Sequence, residues 1–408
     1  MSGRHAGERG ISNPSPILPH TDTPTERNHT MQRTSIICLL ILQICLAGQS
    51  QAQENITITD VFSRGDDGYA CYRIPAIVKA RNGDLLAFAE ARKHNCSDTG
   101  DIDLVVKSSA DNGKTWSDIR IVYDAGNEVC GNPAPVVDTK TGEIYLLACY
   151  NLGQDKERQI IDGTSREGRK VLFFRSTDHG RTWSNPRDIT DMVKRTNWTW
   201  YATGPCHAIQ LQEKTNKGRI VVPANHMVAG SREFHAHLIY SDDRGETWHI
   251  GGVTHGHGGN ESTVAELKDG TLMHNFRNYN RKAADTRGYA VSRDGGETLS
   301  ETQYARELIE PICQGSLINW QRRGKNTDTL LFSNPAATDK RKMLTVRASS
   351  DGGKTWGAGQ TVYAGPSAYS DLVIMDGRHV GVLFEYGEIE YSEKIGFAVM
   401  DIQSLKAN

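Results

Sequence analysis

Ser109-Ala110-Asp111-Asn112-Gly113-Lys114-Thr115-Trp116 is the stretch that decides the fold. Its skeleton of Ser, Asp, Gly and Thr at alternate positions returns four more times along the chain. The further copies start at Ser176, Ser241, Ser292 and Ser349, and all close on Trp except the fourth, where Leu299 takes that place. Asp accepts backbone N–H bonds and Gly supplies a positive φ, so the middle of each octet is a tight turn. The closing Thr-Trp opens the next strand and offers a large apolar ring for packing between sheets. A local motif recurring every 51 to 67 residues means that one supersecondary unit is repeated, as in a propeller, solenoid or array.

The intervening sequence agrees. Residues 142–149 and 218–223 are short apolar runs set off by turn residues, while 170–175 and 234–241 run straight into an octet. The pattern is strand, turn, strand, with no helical stripe of useful length. At roughly 60 residues per repeat, the chain beyond residue 52 holds about six units, within the range of β-propellers. The expected fold is all-β: a six-bladed β-propeller of four-stranded antiparallel blades, with the octet aspartates as scaffold in its outer turns.

Composition sets outer limits. The chain has 408 residues, 40 of them Gly, and a formal charge of −2, so nothing points to nucleic acid or an acidic membrane surface as a partner. Residues 1–30 are polar, carry four prolines and lack apolar periodicity. They read as a disordered or non-native N-terminal extension. Residues 31–52 combine Arg33, an apolar stretch from Ile36 to Gly48 and a small-residue end at Ala52. That is the build of a secretory signal peptide, too short to span a bilayer. Residues 53–408 are expected to form a single propeller domain, exported to a periplasm or to the outside, with no membrane span after cleavage. Six cysteines remain in that part; a bridge between Cys71 and Cys96 is left open, and most of the others read as small buried apolar residues.

Three arginines stand out in apolar strands: Arg73 in Cys71-Tyr72-Arg73-Ile74-Pro75-Ala76, Arg277 in residues 273–278, and Arg347 in residues 343–348. A guanidinium in such a strand is costly unless it meets an anion. Inner strands of different blades face one axis, so the three could converge on one small carboxylate.

Tyr72-Arg73-Ile74-Pro75, the five octets and the dispersed arginines together resemble the bacterial exo-sialidase (neuraminidase) family, with Asp-box repeats, over residues 55–405. The resemblance implies a glycoside hydrolase that removes terminal α-linked sialic acids from glycoproteins, glycolipids or oligosaccharides. It implies that Arg73, Arg277 and Arg347 grip the sugar carboxylate, with Arg92 on the O4 side. Asp98, in the loop Cys96-Ser97-Asp98-Thr99-Gly100, takes the acid/base role, and Glu261 in Asn260-Glu261-Ser262 is the base. Tyr369, in Ala368-Tyr369-Ser370-Asp371-Leu372, becomes the nucleophile. Glu385 orients Arg73, although Phe384 precedes it where the family commonly has Tyr. Asn132 and residues 200–205 are candidates for pocket lining only.

Elementary chemistry supports these roles. A sialoside carries a carboxylate on its anomeric carbon, which would repel an attacking Asp or Glu, and sialidases with a Tyr nucleophile are a recognised exception among glycosidases. A phenol ordinarily ionises near pH 10, so it needs a base beside it, which Glu261 can be. Retention of configuration through a covalent tyrosyl intermediate follows. Competing readings are an intramolecular or intermolecular trans-sialidase using the same residues, and a catalytically silent propeller that only binds sialoglycans. No cofactor or metal is expected: His255 and His257 lie in a Gly-rich stretch without carboxylates at ligand spacing. A monomer is expected.

Overall fold

The computed structural model describes residues 56–213 and 216–405. The N-terminal extension and the signal peptide read from residues 1–30 and 31–52 lie outside the described residues. Within them the fold is all-β, as expected, with 24 strands in four hydrogen-bonded sheets.

The eight-stranded sheet holds two antiparallel runs. The first is β2 (Cys71–Lys79), β3 (Leu85–Arg92), β4 (Ile102–Ser109) and β5 (Arg120–Tyr123). The second is β6 (Val129–Val137), β7 (Ile144–Asn151), β8 (Lys170–Ser176) and β9 (Arg187–Asp188). A lone parallel bridge, Ile102 to Val129, joins them. In the five-stranded sheet β10 (Trp198–Thr203) and β11 (Ile209–Gln210) share the edge of β12 (Ile220–Val228), followed by β13 (Phe234–Ser241) and β14 (His249–Val253). A four-stranded sheet follows: β15 (Gly259–Glu266), β16 (Leu272–Asn278), β17 (Thr286–Ser292) and β18 (Gln303–Ile309).

The seven-stranded sheet is again two runs fused, this time through one long strand. β19 (Ser316–Asn319), β20 (Leu330–Pro335) and β21 (Lys342–Ser349) lead to β22 (Gln360–Ile374). The first half of β22 pairs with β21 and its second half with β23 (His379–Tyr386), which pairs in turn with β24 (Lys394–Asp401). β1 (Ile58–Ser63), from the other end of the described chain, completes the sheet against β24. Two short helices interrupt the pattern, α1 (Glu157–Ile161) and α2 (Thr190–Val193).

Each octet joins the third strand of a run to the fourth, and its hydrogen bonds explain the composition. In the first copy Ser109 Oγ accepts the Gly113 N–H at 2.8 Å and donates to Asp111 at 2.8 Å. Asp111 also accepts Thr115 through its N–H at 2.9 Å and its hydroxyl at 2.6 Å. Those bonds, led by the Thr115 hydroxyl, pull the Asp111 carboxyl down to about 2. The closing residue wedges against the run before it. Trp183 meets Phe88 at 5.7 Å and Trp248 meets Phe173 at 5.9 Å, while Leu299 packs into the cluster around Leu238. Trp116, in the first octet, packs edge-on at 5.6 Å against Phe397 of β24, in the last run. Such ring pairs add about 0.5–1.5 kcal/mol each beyond the area they bury.

Candidate active site

Five strands that start their runs lose register at one end, and that end is where the polar side chains gather. Pairing breaks between Arg73 and Ala76 in β2, Gly131 and Ala134 in β6, and Trp198 and Tyr201 in β10. It breaks again between Gly259 and Ser262 in β15, and between Ser367 and Ser370 in the run started by the second half of β22. The residues released from the ladder include Ile74, Asn132, Trp200, Glu261 and Tyr369. Ile74 and Asn132 sit at φ of 60° and 56°. For a β-branched residue such as Ile74 that conformation is strained, on the order of 1–3 kcal/mol, and the surroundings must enforce it.

Buried carboxylates do so. Glu385, fully buried on β23, accepts the Ile74 N–H at 2.8 Å and the Tyr369 N–H at 3.3 Å. It also takes a two-pronged ion pair from Arg73, at 2.7 Å from Nε and 3.1 Å from Nη2. Glu90 on β3 plays the same part for the Asn132 N–H, at 2.9 Å. The other oxygen of Glu90 holds Arg92 Nη2 at 2.6 Å. Arg92 in turn donates to the Cys96 carbonyl at 2.6 Å and lies 2.7 Å from the Asp98 carboxylate. A disulfide between Cys71 and Cys96 ties the Asp98 loop to β2 two residues before Arg73. The four remaining described cysteines, Cys130, Cys149, Cys206 and Cys313, are buried and free.

Arg73, Ile74, Glu90, Arg92, Asp98 and Asn132 line a cavity of about 230 Å³. At its floor the Tyr369 hydroxyl is hydrogen-bonded to Glu261, and Arg277 Nη1 reaches Glu261 at 2.6 Å and the Tyr369 oxygen at 3.2 Å. Burial pushes the Tyr369 phenol well above its ordinary value, Glu261 adds to this, and Arg277 and Arg341 oppose it. Asp98 stands at the rim with its side chain 77% exposed. Its surroundings would raise its carboxyl by desolvation, but Arg92, Arg73 and Arg169 outweigh that and hold it below the usual carboxylate range. Solvent at the rim screens part of that pull.

Seven of the eight residues singled out from the sequence adjoin this cavity: Arg73, Arg92, Asp98, Glu261, Arg277 and Tyr369 line it, and Glu385 lies behind Arg73. Arg347 does not. It sits on β21 opposite Phe332, buried, outside the cavity lining, with Nη1 lacking any hydrogen-bond partner. In the place expected for Arg347 the cavity instead has Arg341, just before β21. Its guanidinium lies 5.5 Å from the Tyr369 ring and 5.4 Å from the Tyr391 ring, and donates at 3.3 Å to the Ile312 carbonyl. Among the described residues no carboxylate pairs with it. Arg341 lacks the signal of an arginine in an apolar strand, because Thr338-Asp339-Lys340-Arg341-Lys342 reads as a solvated turn.

Sequence reasoning also missed Arg169, Tyr279 and Tyr391. Arg169 stacks on Trp200 at 4.3 Å and donates to Asn132 Oδ1 at 3.0 Å, placing Trp200 and Asn132 on the cavity wall. Tyr279, two residues beyond Arg277, accepts its Nη2 at 2.8 Å. His255 and His257 lie outside the lining, and no cluster of metal-ligating side chains occurs among the described residues.

Beneath the floor the runs are bound together by buried polar side chains. Asp371, two residues after Tyr369, accepts the Ile77 N–H at 2.8 Å, the His207 N–H at 2.9 Å and the Ser316 hydroxyl at 2.7 Å. Gln314 bridges the Pro205 and Ser370 carbonyls at 3.0 Å each. Strands far apart in sequence are thereby fixed around Tyr369.

Residues 83–382 match the BNR repeat-like domain family. A sialidase of Bacteroides fragilis is 31% identical over 79% of this chain and 61% of its own length. An exo-alpha-sialidase of Aspergillus fumigatus is 33% identical over 73% of this chain and 72% of its own. Among solved structures, the Hadza microbial sialidase Hz136 superposes with a TM-score of 0.75 at 33% identity, covering 85% of this chain and 69% of that one. The fold and sequence repeat define a BNR-repeat protein, and the chain belongs to the sialidase family. It spans about three-fifths of the Bacteroides relative.

Proposed function

We propose that this chain is an exo-α-sialidase that hydrolyses terminal α-linked sialic acids with retention, through a tyrosyl intermediate. The observation that carries this reading is the Tyr369–Glu261–Arg277 cluster facing Arg341, a cation with no carboxylate of its own. The substrate carboxylate supplies the missing anion at Arg341, with Arg73 and Arg277 alongside, since charge-assisted bonds of this kind are the strong ones. Arg347 has no part in that grip.

In the first step Tyr369 Oη bonds to the anomeric carbon as the bond to the leaving oxygen breaks. The phenolic proton passes to Glu261, and Asp98 delivers its proton to the leaving oxygen. In the second step Asp98 takes a proton from water, whose oxygen attacks the anomeric carbon. Tyr369 departs and recovers its proton from Glu261. Asp98 must begin this cycle protonated, although the free site favours its anion. The arriving carboxylate offsets the arginines around it and raises its pKa toward the acid form.

The strand runs support a ring of six four-stranded blades. The fused sheets separate into such runs at the lone parallel bridge and within β22, and β1 completes the last run. Each octet packs on the preceding run, and the first packs on the last through Trp116 and Phe397. The protein is read as a monomer acting on sialylated glycoproteins, glycolipids or oligosaccharides. Export rests on residues 31–52; no helix among the described residues is long and apolar enough to cross a membrane.

Incubation with a 4-methylumbelliferyl sialoside tests the reading. Fluorophore release with free sialic acid as the product supports it, and proton NMR of the first-formed anomer reads the stereochemistry. A 2,7-anhydro sugar or a new sialoside would indicate a trans-sialidase, and no turnover by folded protein would refute the enzyme.

A further inference from the structure

Next to the catalytic cavity lies a second one, about 530 Å³, that shares Arg341 and Tyr391 with it. Three consecutive cations, Lys340, Arg341 and Lys342, line one side. Pro366 and Ile389 contribute apolar surface, and Ile389 is 85% exposed, unusual for its type. Lys342 is paired with Asp339 at 3.1 Å, and Glu390 lies 3.6 Å from Arg64. Lys340 has no anionic partner among the described residues. The groove therefore carries uncompensated positive charge beside an exposed apolar face.

We propose that this groove is the subsite for the sugar from which sialic acid is cleaved, and that it selects an acidic sugar there, as in an α2,8-linked disialyl chain. The inference rests on the proposed sialidase activity. On a sialoside, the carboxylate and the leaving oxygen are bonded to the same carbon. A carboxylate held by Arg341 thus places the leaving sugar within one residue's reach of the groove that opens on the other side of Arg341. The acid loop lies on the same rim: Arg64 contacts Cys96 Sγ at 3.0 Å as well as Glu390, and Arg73 lies over the Tyr391 ring at 5.2 Å. Lys340 meets the second carboxylate while Ile389 and Pro366 take the C–H face of the ring.

The test compares kcat/KM for α2,8-disialyllactose, α2,3-sialyllactose and the aryl sialoside, in the unmodified protein, Lys340→Ala and Lys340→Glu. The unmodified protein should favour the disialyl substrate over sialyllactose. That ratio should fall about fivefold in Lys340→Ala, the scale of one exposed ion pair, and further in Lys340→Glu. Raising the salt should shrink the ratio in the unmodified protein only. A ratio that is the same in all three proteins overturns the acidic-sugar subsite. Equal binding of both lactosides, lost on Ile389→Ser but not on Lys340→Glu, would mean a neutral-sugar groove and also overturns it. If no sialoside is cleaved, the sialidase reading itself fails, a result distinct from either.

Discussion

Replacing Arg341 with Ala should abolish most carboxylate binding, and replacing Arg347 with Met should leave it intact. Arg73 and Arg277 are poor subjects for such a test. Each is bound to a buried carboxylate, Glu385 or Glu261, and truncation would strand that charge at a cost of about 3–5 kcal/mol in stability. Arg341 has no carboxylate partner, so its removal leaves no orphaned anion and the loss falls on the ligand. A carboxylate about 4 Å from the guanidinium interacts by about 4 kcal/mol at an effective dielectric of 20. Truncation of one member of a desolvated pair typically costs about 2–5 kcal/mol, or roughly 30-fold to several thousandfold. The assay is kcat/KM on the aryl sialoside, with calorimetric binding of 2-deoxy-2,3-dehydrosialic acid to separate binding from turnover. Arg347→Met removes a buried guanidinium with an unsatisfied Nη1 and keeps the aliphatic stem, so thermal stability should hold or rise while KM and kcat stay put. An Arg341→Ala protein within threefold of the unmodified one would refute the reasoning. So would an Arg347→Met protein that folds but loses ligand.

Tyr369→Phe should lower kcat by ~10²–10⁴-fold or more with little change in Tm, since Glu261 keeps its bond to Arg277; near-normal turnover would reassign the nucleophile. Asp98→Asn should slow cleavage of sialyllactose far more than of the aryl sialoside, whose phenolate leaves without much help, and equal losses would remove Asp98 as the acid. Stability should fall on acidification because burial lowers His226 and His274 to about 3 and drives His237 well below 6.5. The unfolded chain then binds more protons between about pH 6.5 and 3, so their contribution is complete above 6.5 and declines toward 3, by up to about 1.4 kcal/mol per pH unit for each group. Denaturant melts at pH 7 and 4.5 check this, and His274→Leu should flatten the slope; a pH-independent stability would contradict it.

The architecture was legible because the octet is a local device. Ser, Asp, Gly and Thr satisfy one another within eight residues, so their pattern survives in the sequence whatever surrounds them. Tyr369 and Glu261 were readable through the family resemblance of their flanking residues, whereas Arg277 also stood out as a guanidinium in an apolar strand. Arg341 was not readable. Its neighbours Asp339, Lys340 and Lys342 make a solvated turn by composition, and only the approach of Tyr369 and Tyr391 turns that site inward. Arg347 misled for the opposite reason: an apolar strand around an arginine signals burial, and it is buried, but without an anion. The bulges were invisible as well, since a register shift depends on the partner strand.

Those bulges and the charge balance of the cavity have one origin. A bulge frees backbone N–H groups from the ladder, and a buried N–H must find an acceptor. Glu385 and Glu90 meet that need at Ile74, Tyr369 and Asn132, and each thereby becomes a buried anion. A buried anion needs a cation, and Arg73 and Arg92 supply it. Two of the arginines at the cavity are therefore fixed by the demands of the backbone, and a third, Arg277, by Glu261. Arg341 is left over from this arrangement, its charge answered by no carboxylate among the described residues. Arg169 likewise hydrogen-bonds only to the Tyr201 carbonyl and Asn132 Oδ1, so two cavity cations have no carboxylate pair among the described residues. Selectivity for an anionic sugar thus follows from these two surplus cations. Substitution of a neutral amide for Glu385 should test that account from the other side. Glu385→Gln would preserve a side-chain acceptor for the Ile74 N–H but leave Arg73 unpaired, so the free protein should lose stability. An anionic ligand then gains a further unanswered cation, and should restore more of the lost Tm than it adds to the unmodified protein. Equal ligand-induced Tm shifts in the two proteins would break the link between backbone geometry and charge.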